Sequence, residues 1–486
     1  MSRVSKDTPL GVTIPKSHTG SSFFHHILQS TVDTYPEVFK GFGLPILKEF
    51  KKKYAESMVQ FEAHRASSTK RTDIADYMMR LLHDEMIYRS ENGQETPLSS
   101  YMKQAGNVIT TKTLKLTGKA GYRPSVPFRG RYYQGNELRD LSHLLLQEHK
   151  MTLKTSVSLN WLAEFLKKHG NKINLEGRKF VVMGASAEIA PTSFLLAAGA
   201  SVLWLDVKGA DDILKYRESL AGELVLPARP CDLLIEPLDI AATIREFAGE
   251  DSIDLGLYAY AGGKGRELRL ATAMNHITAN LPSKMVRSVS MFVSPTSAAI
   301  MQPEDIFQSE EQRHNPPIWQ AALKFAGQLQ NSSSFTKDGT AIARAIVPIQ
   351  GVSYFASQYL AKTLAAEVFS ERGTNPNEPL NPDLRVSANV AGITKTQSLR
   401  HPIFQAAFLG AKTFGVEIFE VTTTKELAAL LNFHDLLNED TWSKDELFSK
   451  QIHGGIYSKA YALDPMIKIA TVLGLVRKPK LLFDLF

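Results

Sequence analysis

At 486 residues and a formal net charge of +6, the chain is long enough for more than one domain. Its 43% hydrophobic and 22% charged residues are those of a globular protein. The single cysteine, Cys231, excludes a disulfide framework and any cysteine-based metal site, and predicts a reducing compartment, the cytoplasm. No apolar run reaches the roughly 20 residues that cross a bilayer, and the opening MSRVSKDTPLGVTIPKSHTG lacks the apolar stretch of a secretory signal.

The first 170 residues carry an excess of lysine and arginine over acids, a field that could draw an anionic partner. No basic stripe interleaved with aromatics accompanies it, so nucleic acid is not indicated. Apolar residues recur at three and four over 22–42, 44–64 and 73–86, predicting three amphipathic helices. The Thr-rich alternation of 107–118 predicts a strand or hairpin arm, and 121–136 a Pro/Gly/Arg loop. Two more helices are expected at 137–149 and 157–169. Neither catalytic motif nor metal-ligand spacing occurs here. Residues 1–170 are therefore read as a mostly helical extension of unassigned role, and 171–486 as a second domain.

The stretch from Lys179 to Asp206 is more informative. KFVVM and SVLWL are short Val/Leu runs of the kind buried on both faces of a parallel sheet. Between them Ile189, Phe194, Leu195 and Ala198 have near-helical spacing. Gly184 opens the connecting turn, where backbone amides could approach a pyrophosphate, and Ser186 could cap the helix and donate to a phosphate. Asp206 stands 22 residues after Gly184, where an acid would take ribose hydroxyls. Glu188 and Ala190 stand where further glycines would be usual. A third strand is expected in LLIEPLDI, ending at Leu238–Asp239–Ile240. A fourth, IDLGLYAYAGG, stops at Gly262, Gly263 and Gly265 without the Lys-Ser/Thr of a P-loop. SVSMFVS then ends at Ser294, followed by Pro295, Thr296 and Ser297.

Downstream, SYFASQYLAKTLAAEVF (353–369) and LRVSANVAGITKT (384–396) complete an order of motifs that resembles the short-chain dehydrogenase/reductase superfamily over about residues 178–464. TTTKELAALLNF looks like that family's next helix and GGIYSKAYALD (454–464) like its last strand. The resemblance implies an α/β fold, a Rossmann-like doubly wound parallel sheet following a mostly helical N-terminal domain. It implies NAD(P)(H)-dependent interconversion of a carbonyl and an alcohol, with Tyr354 as acid/base and Ser294, or in second place Ser297, orienting the substrate. Cofactor contacts then fall to Gly184, Ser186, Ile189, Asp206, Asp239, Ala261, Gly262, Gln358, Gly392 and Thr394. Asp206 opposes a 2′-phosphate and favours NAD, while Lys208 leaves NADP open. No metal is implied.

Three departures qualify the likeness. Gln358 stands where the family has a lysine beside its tyrosine, and a neutral amide cannot lower a phenol's pKa by charge. Lys362, about 6 Å further along and 40° around an ideal helix, is the expected substitute. Glu188 puts a carboxylate near the expected pyrophosphate. Ser294 and Tyr354 are 60 residues apart, which makes about 298–345 an insertion able to line the substrate pocket. Ile403, Phe404, Phe408 and Leu409 favour a bulky apolar substrate, a small molecule or an acyl-carrier-linked thioester, and a homo-oligomer is expected. The rival expectation is a catalytically silent dinucleotide-binding sensor or scaffold.

Overall fold

The computed structural model describes residues 9–263, 265–331, 333–335, 339–438 and 443–483. After a short strand, Gly11–Thr13, come three helices: α1 (Gly20–Thr34), α2 (Leu47–Ala66) and α3 (Arg71–Glu85). The strand β1 (Thr111–Lys115) follows, then two helices, Leu138–Gln147 and α4 (Leu153–Lys168). The alternating part of the chain runs β2 (Lys179–Met183), α5 (Thr192–Ala197), β3 (Ser201–Leu205), β4 (Glu223–Pro227), α6 (Pro237–Ala248), β5 (Ile253–Leu257), α7 (Arg266–Ala279) and β6 (Val286–Val293). A long helix, α8, begins as Val352–Gln358, widens to a π turn over Tyr359–Leu364 and ends as Ala365–Arg372. After it come β7 (Arg385–Val390), α9 (Pro402–Ala411), α10 (Val421–Leu437) and α11 (Leu463–Arg477).

The seven-stranded sheet has the order β7-β6-β5-β2-β3-β4-β1. Six strands are parallel, and β1 closes one edge antiparallel to β4, Thr113 facing Val225. This is an α/β doubly wound sheet, compatible with a Rossmann-like fold. The chain leaves β2 toward β3 on one side and returns to β5 on the other, so a crevice opens where the order reverses.

Strand alternation sorts the core into two layers. Val181, Met183, Leu203 and Leu205 pack under α1, α2, α3, α6, α7 and α8, whereas Phe180, Val182, Val202 and Trp204 pack against α4 and α10. Both layers take residues from before 170, and β1 is part of the sheet. No break in the core marks the boundary expected near residue 170.

Two strand expectations are corrected. LLIEPLDI is not a strand: Pro237 has no N–H for a ladder and starts α6 instead, while the third parallel strand is ELVLP at 223–227. The segment 454–464 forms turns and then enters α11, with a single bridge from Tyr461 to Asn331. The expected insertion holds two helices, Pro303–His314 and Ile318–Phe325, and a short hairpin, Ser333–Phe335 with Ala341–Ala343. Among the described residues no helix is long and apolar enough to cross a membrane.

Candidate functional site

A cavity of about 1170 Å³ occupies the crevice at the carboxyl ends of the parallel strands. Of the thirteen sequence-chosen residues, twelve line it: Gly184, Ser186, Ile189, Asp206, Ala261, Gly262, Ser294, Tyr354, Gln358, Lys362, Gly392 and Thr394. Asp239 does not. It lies in the first turn of α6, where its Oδ1 accepts the Asn107 backbone N–H at 2.8 Å. The acid that follows the true third strand is Asp232, which does line the cavity. Reading 223–227 as the strand would have exposed it, because Cys231-Asp232-Leu233 then takes the place given to Leu238-Asp239-Ile240.

The turn after β2 is built differently from the expectation. Gly184 has φ +85°, and a Cβ there would come within 2.3 Å of the Ala259 backbone, so the glycine serves close packing against the chain leaving β5. Asp206, nearly buried, accepts the backbone N–H groups of Ser186 at 2.8 Å and Lys208 at 2.9 Å. Ser186 caps no helix: α5 starts six residues later at Thr192, behind Pro191, with no side-chain cap. Glu188 turns away from the turn and accepts the Gln397 N–H at 3.1 Å.

At the other end of the cavity, hydroxyls converge. Ser294 Oγ lies 2.8 Å from Thr296 Oγ1, which donates to Gln350 Oε1 at 2.8 Å. The Tyr354 hydroxyl lies near those of Ser294 and Thr296, close enough for both to favour its ionised form. Gln358, buried in the position of the expected lysine, accepts the Ser294 N–H through Oε1 at 3.2 Å and so fixes the serine's backbone. Ser297 is not part of this group; it is buried beside Tyr457, whose hydroxyl donates to the Pro295 carbonyl at 2.8 Å. Thr296 and Gln350 are the residues that sequence reasoning passed over, and only the fold brings Gln350 next to the serine loop.

The electrostatics separate the two groups meant to act together. Burial pushes the Tyr354 phenol up to about 12, against the Ser294 and Thr296 hydroxyls, which pull it down, and no cation contributes. Burial also lowers the Lys362 amine to about 8, and its Nζ donates to the Phe292 carbonyl at 3.2 Å. Lys362 faces the cavity as expected but does not depress the phenol by charge. The geometry behind its orientation is the π turn, since eight residues of plain α-helix would leave Lys362 about 80° around from Tyr354.

The chain's start supplies part of the wall. Pro9 and Leu10 line the cavity beside Asp232 and Leu234, in a segment the sequence shows only as an irregular lead-in. Arg269 of α7 holds them there, donating from Nε to the Val12 carbonyl at 2.7 Å and from Nη2 to the Leu10 carbonyl at 2.8 Å. A second, smaller cavity of about 50 Å³ shares Thr296, Gln350, Ile393, Leu399 and Phe404 with the first, and continues between α9 and α11 along Phe408 and Met466. Among the described residues no group of three or more acids, histidines or cysteines could hold a metal.

No family model matches the chain, and no curated protein matches it. The functional reading therefore rests on the site itself.

Proposed function

We propose that the chain is an NAD(P)(H)-linked oxidoreductase that interconverts a carbonyl and an alcohol on a bulky apolar substrate. One juxtaposition carries the reading: the Ser294, Thr296 and Tyr354 hydroxyls line the same cavity as the Gly184 turn, Asp206 and Asp232. Crevices at this reversal of strand order are where open α/β sheets hold nucleotides. Asp206 spends two of the roughly four acceptor positions of a carboxylate on the turn, which leaves room for ribose hydroxyls. The bound nicotinamide would supply or take the hydride.

The chain's own part is to hold the carbonyl and move a proton. Ser294 and Thr296 orient the carbonyl oxygen by hydrogen bonding, and Tyr354 donates its phenolic proton to it. A phenol held near 12 stays protonated at neutral pH, so it is an acid poised for reduction and a poor base for alcohol oxidation. The apolar extension past Thr296 and Phe404 fits a hydrocarbon arm on the substrate, which agrees with an alkyl ketone or an acyl thioester.

A second reading, a catalytically silent nucleotide sensor, draws on that same uncompensated phenol. Fluorescence titration with NADH and NADPH, followed by turnover assays with medium-chain alkyl ketones and aldehydes, separates the two. Binding with reduction that Tyr354→Phe abolishes supports the enzyme. Binding without turnover favours the sensor, and no binding of either nucleotide rejects both.

A further inference from the structure

The N-terminal helices reach the candidate site through a buried ionic cluster. Arg65 of α2 is fully buried and donates to Glu62 from Nε and Nη2, at 2.9 and 2.8 Å. It also donates to both carboxylate oxygens of Glu367 on α8, at 3.0 and 3.1 Å. Arg71 donates twice more to Glu367, each bond 3.1 Å. Glu62 Oε2, which already accepts Arg65 Nε, also accepts the Tyr359 hydroxyl at 2.5 Å. Two arginines and two glutamates thus meet with their charges balanced, all buried but the partly exposed Arg71.

The cluster's position on α8 is what matters. Tyr359 is the first residue of the π turn and Glu367 lies three residues beyond its last. In an uninterrupted α-helix, residues eight apart point about 80° away from each other. A wide turn absorbs one residue, about 100° of rotation, and brings Tyr359 and Glu367 round to the side that meets Glu62 and Arg65. The same widening turns Lys362 toward the cavity. Two further bonds hold it, from Asn275 Nδ2 to the Ala361 carbonyl and from Thr363 Oγ1 to the Gln358 carbonyl, both 3.0 Å.

We infer that Glu62 and Arg65 are positioning residues for Lys362: by gripping Tyr359 and Glu367 on either side of the π turn, the N-terminal helix α2 sets the amine's direction into the cavity. The inference rests on reading Lys362 as the site's amine. Buried ion clusters are often no more stabilising than apolar packing of the same shape, so stability alone is a weak reason for this one. A fixed helix register is a better one.

The test labels the full chain with a water-soluble amine-acylating reagent at pH 8 and reads Lys362 against exposed lysines by mass spectrometry. Tyr359→Phe removes one hydroxyl and keeps the ring stacked on Phe355. It should fold, and it should change Lys362 labelling by about twofold, the effect on the free-amine fraction of half a pKa step from a titration midpoint. Glu62→Gln should move the rate in the same direction while exposed lysines stay constant. A folded Tyr359→Phe protein that labels like the unmodified chain overturns the inference. So does a Tyr359→Phe chain that fails to fold, or a Glu62→Gln protein that only loses thermal stability, because each makes the cluster a brace and not a positioning device. The readout needs neither nucleotide nor substrate, so failure of the oxidoreductase reading would leave this result standing.

Discussion

Glu188 accepts the Gln397 backbone N–H at 3.1 Å, tying the turn after β2 to the segment that follows β7. Glu188 and Gln397 both line the large cavity, so the bond joins two parts of its wall. A carboxylate that looked repulsive toward a pyrophosphate is thus spent on joining them.

Glu188→Ala should open that tie. The expected result is faster hydrogen exchange at the Gln397 amide, by about threefold for the loss of one partly solvated bond. Nucleotide binding should weaken, not strengthen, because the wall loses its register. Tighter binding in this variant would mean that repulsion, and not the tie, dominates.

Asp206→Ala should do more than erode a preference for NADH over NADPH. It leaves the part-buried Ser186 and Lys208 hydrogen bonds unmade, at a cost of about 0.5–1.5 kcal/mol for a typical one. Chemical denaturation should register that loss, and affinity for both nucleotides should fall together. A pure change in NADH/NADPH ratio with unchanged stability would contradict this role.

Gly184→Ala meets two obstacles, a φ of +85° and the Ala259 backbone 2.3 Å from the new Cβ. Overpacking of this kind costs about 1–3 kcal/mol, and the backbone strain adds to it. A fall of that size in unfolding free energy is expected, with β5 and the turn losing exchange protection first.

Lys362→Met should raise the thermal midpoint, and by more at pH 7 than at pH 10. Burial lowers the amine to about 8 in the folded chain from an ordinary 10.5, so the unfolded chain binds the extra proton between those values. The lysine's penalty is complete below pH 8 and fades as pH rises toward 10.5. Melting curves of the two proteins across that window should converge at the alkaline end. Parallel curves would place Lys362 in contact with solvent.

What the sequence made legible follows physical signal strength. KFVVM, SVLWL, SVSMFVS and LRVSANV are apolar runs too regular to be anything but buried strands, and they are β2, β3, β6 and β7. ELVLP was hidden because a glutamate and a proline flank only three apolar residues, while the longer run LLIEPLDI drew the third strand, and with it Asp239, to the wrong place. The π turn leaves no mark in composition: YLAKTL reads as plain helix, and only the tertiary holds on Tyr359 and Ala361 widen it. Glu62 and Arg65 stand three apart on α2, and nothing local to α2 announces the Glu367 that Arg65 meets. Gln350 and Leu10 join the site through contacts with residues far away in the chain, which periodicity cannot see.

The bond from Arg269 to Leu10 spans 259 positions of the chain. At the usual pace of about 5–20 residues per second, a ribosome needs roughly 13–50 s to make the arginine after it has made the leucine. For all that time the Leu10 carbonyl lacks its arginine, although Ile87–Arg89 pairs with Gly11–Thr13 far earlier. The clasp on the wall beside Asp232 therefore forms long after that wall's own Leu10 is made. A protein captured on stalled ribosomes shortly before residue 269 would carry the Gly184 turn and Asp206 already made, yet lack both this clasp and the Ser294, Tyr354 and Gly392 side of the pocket.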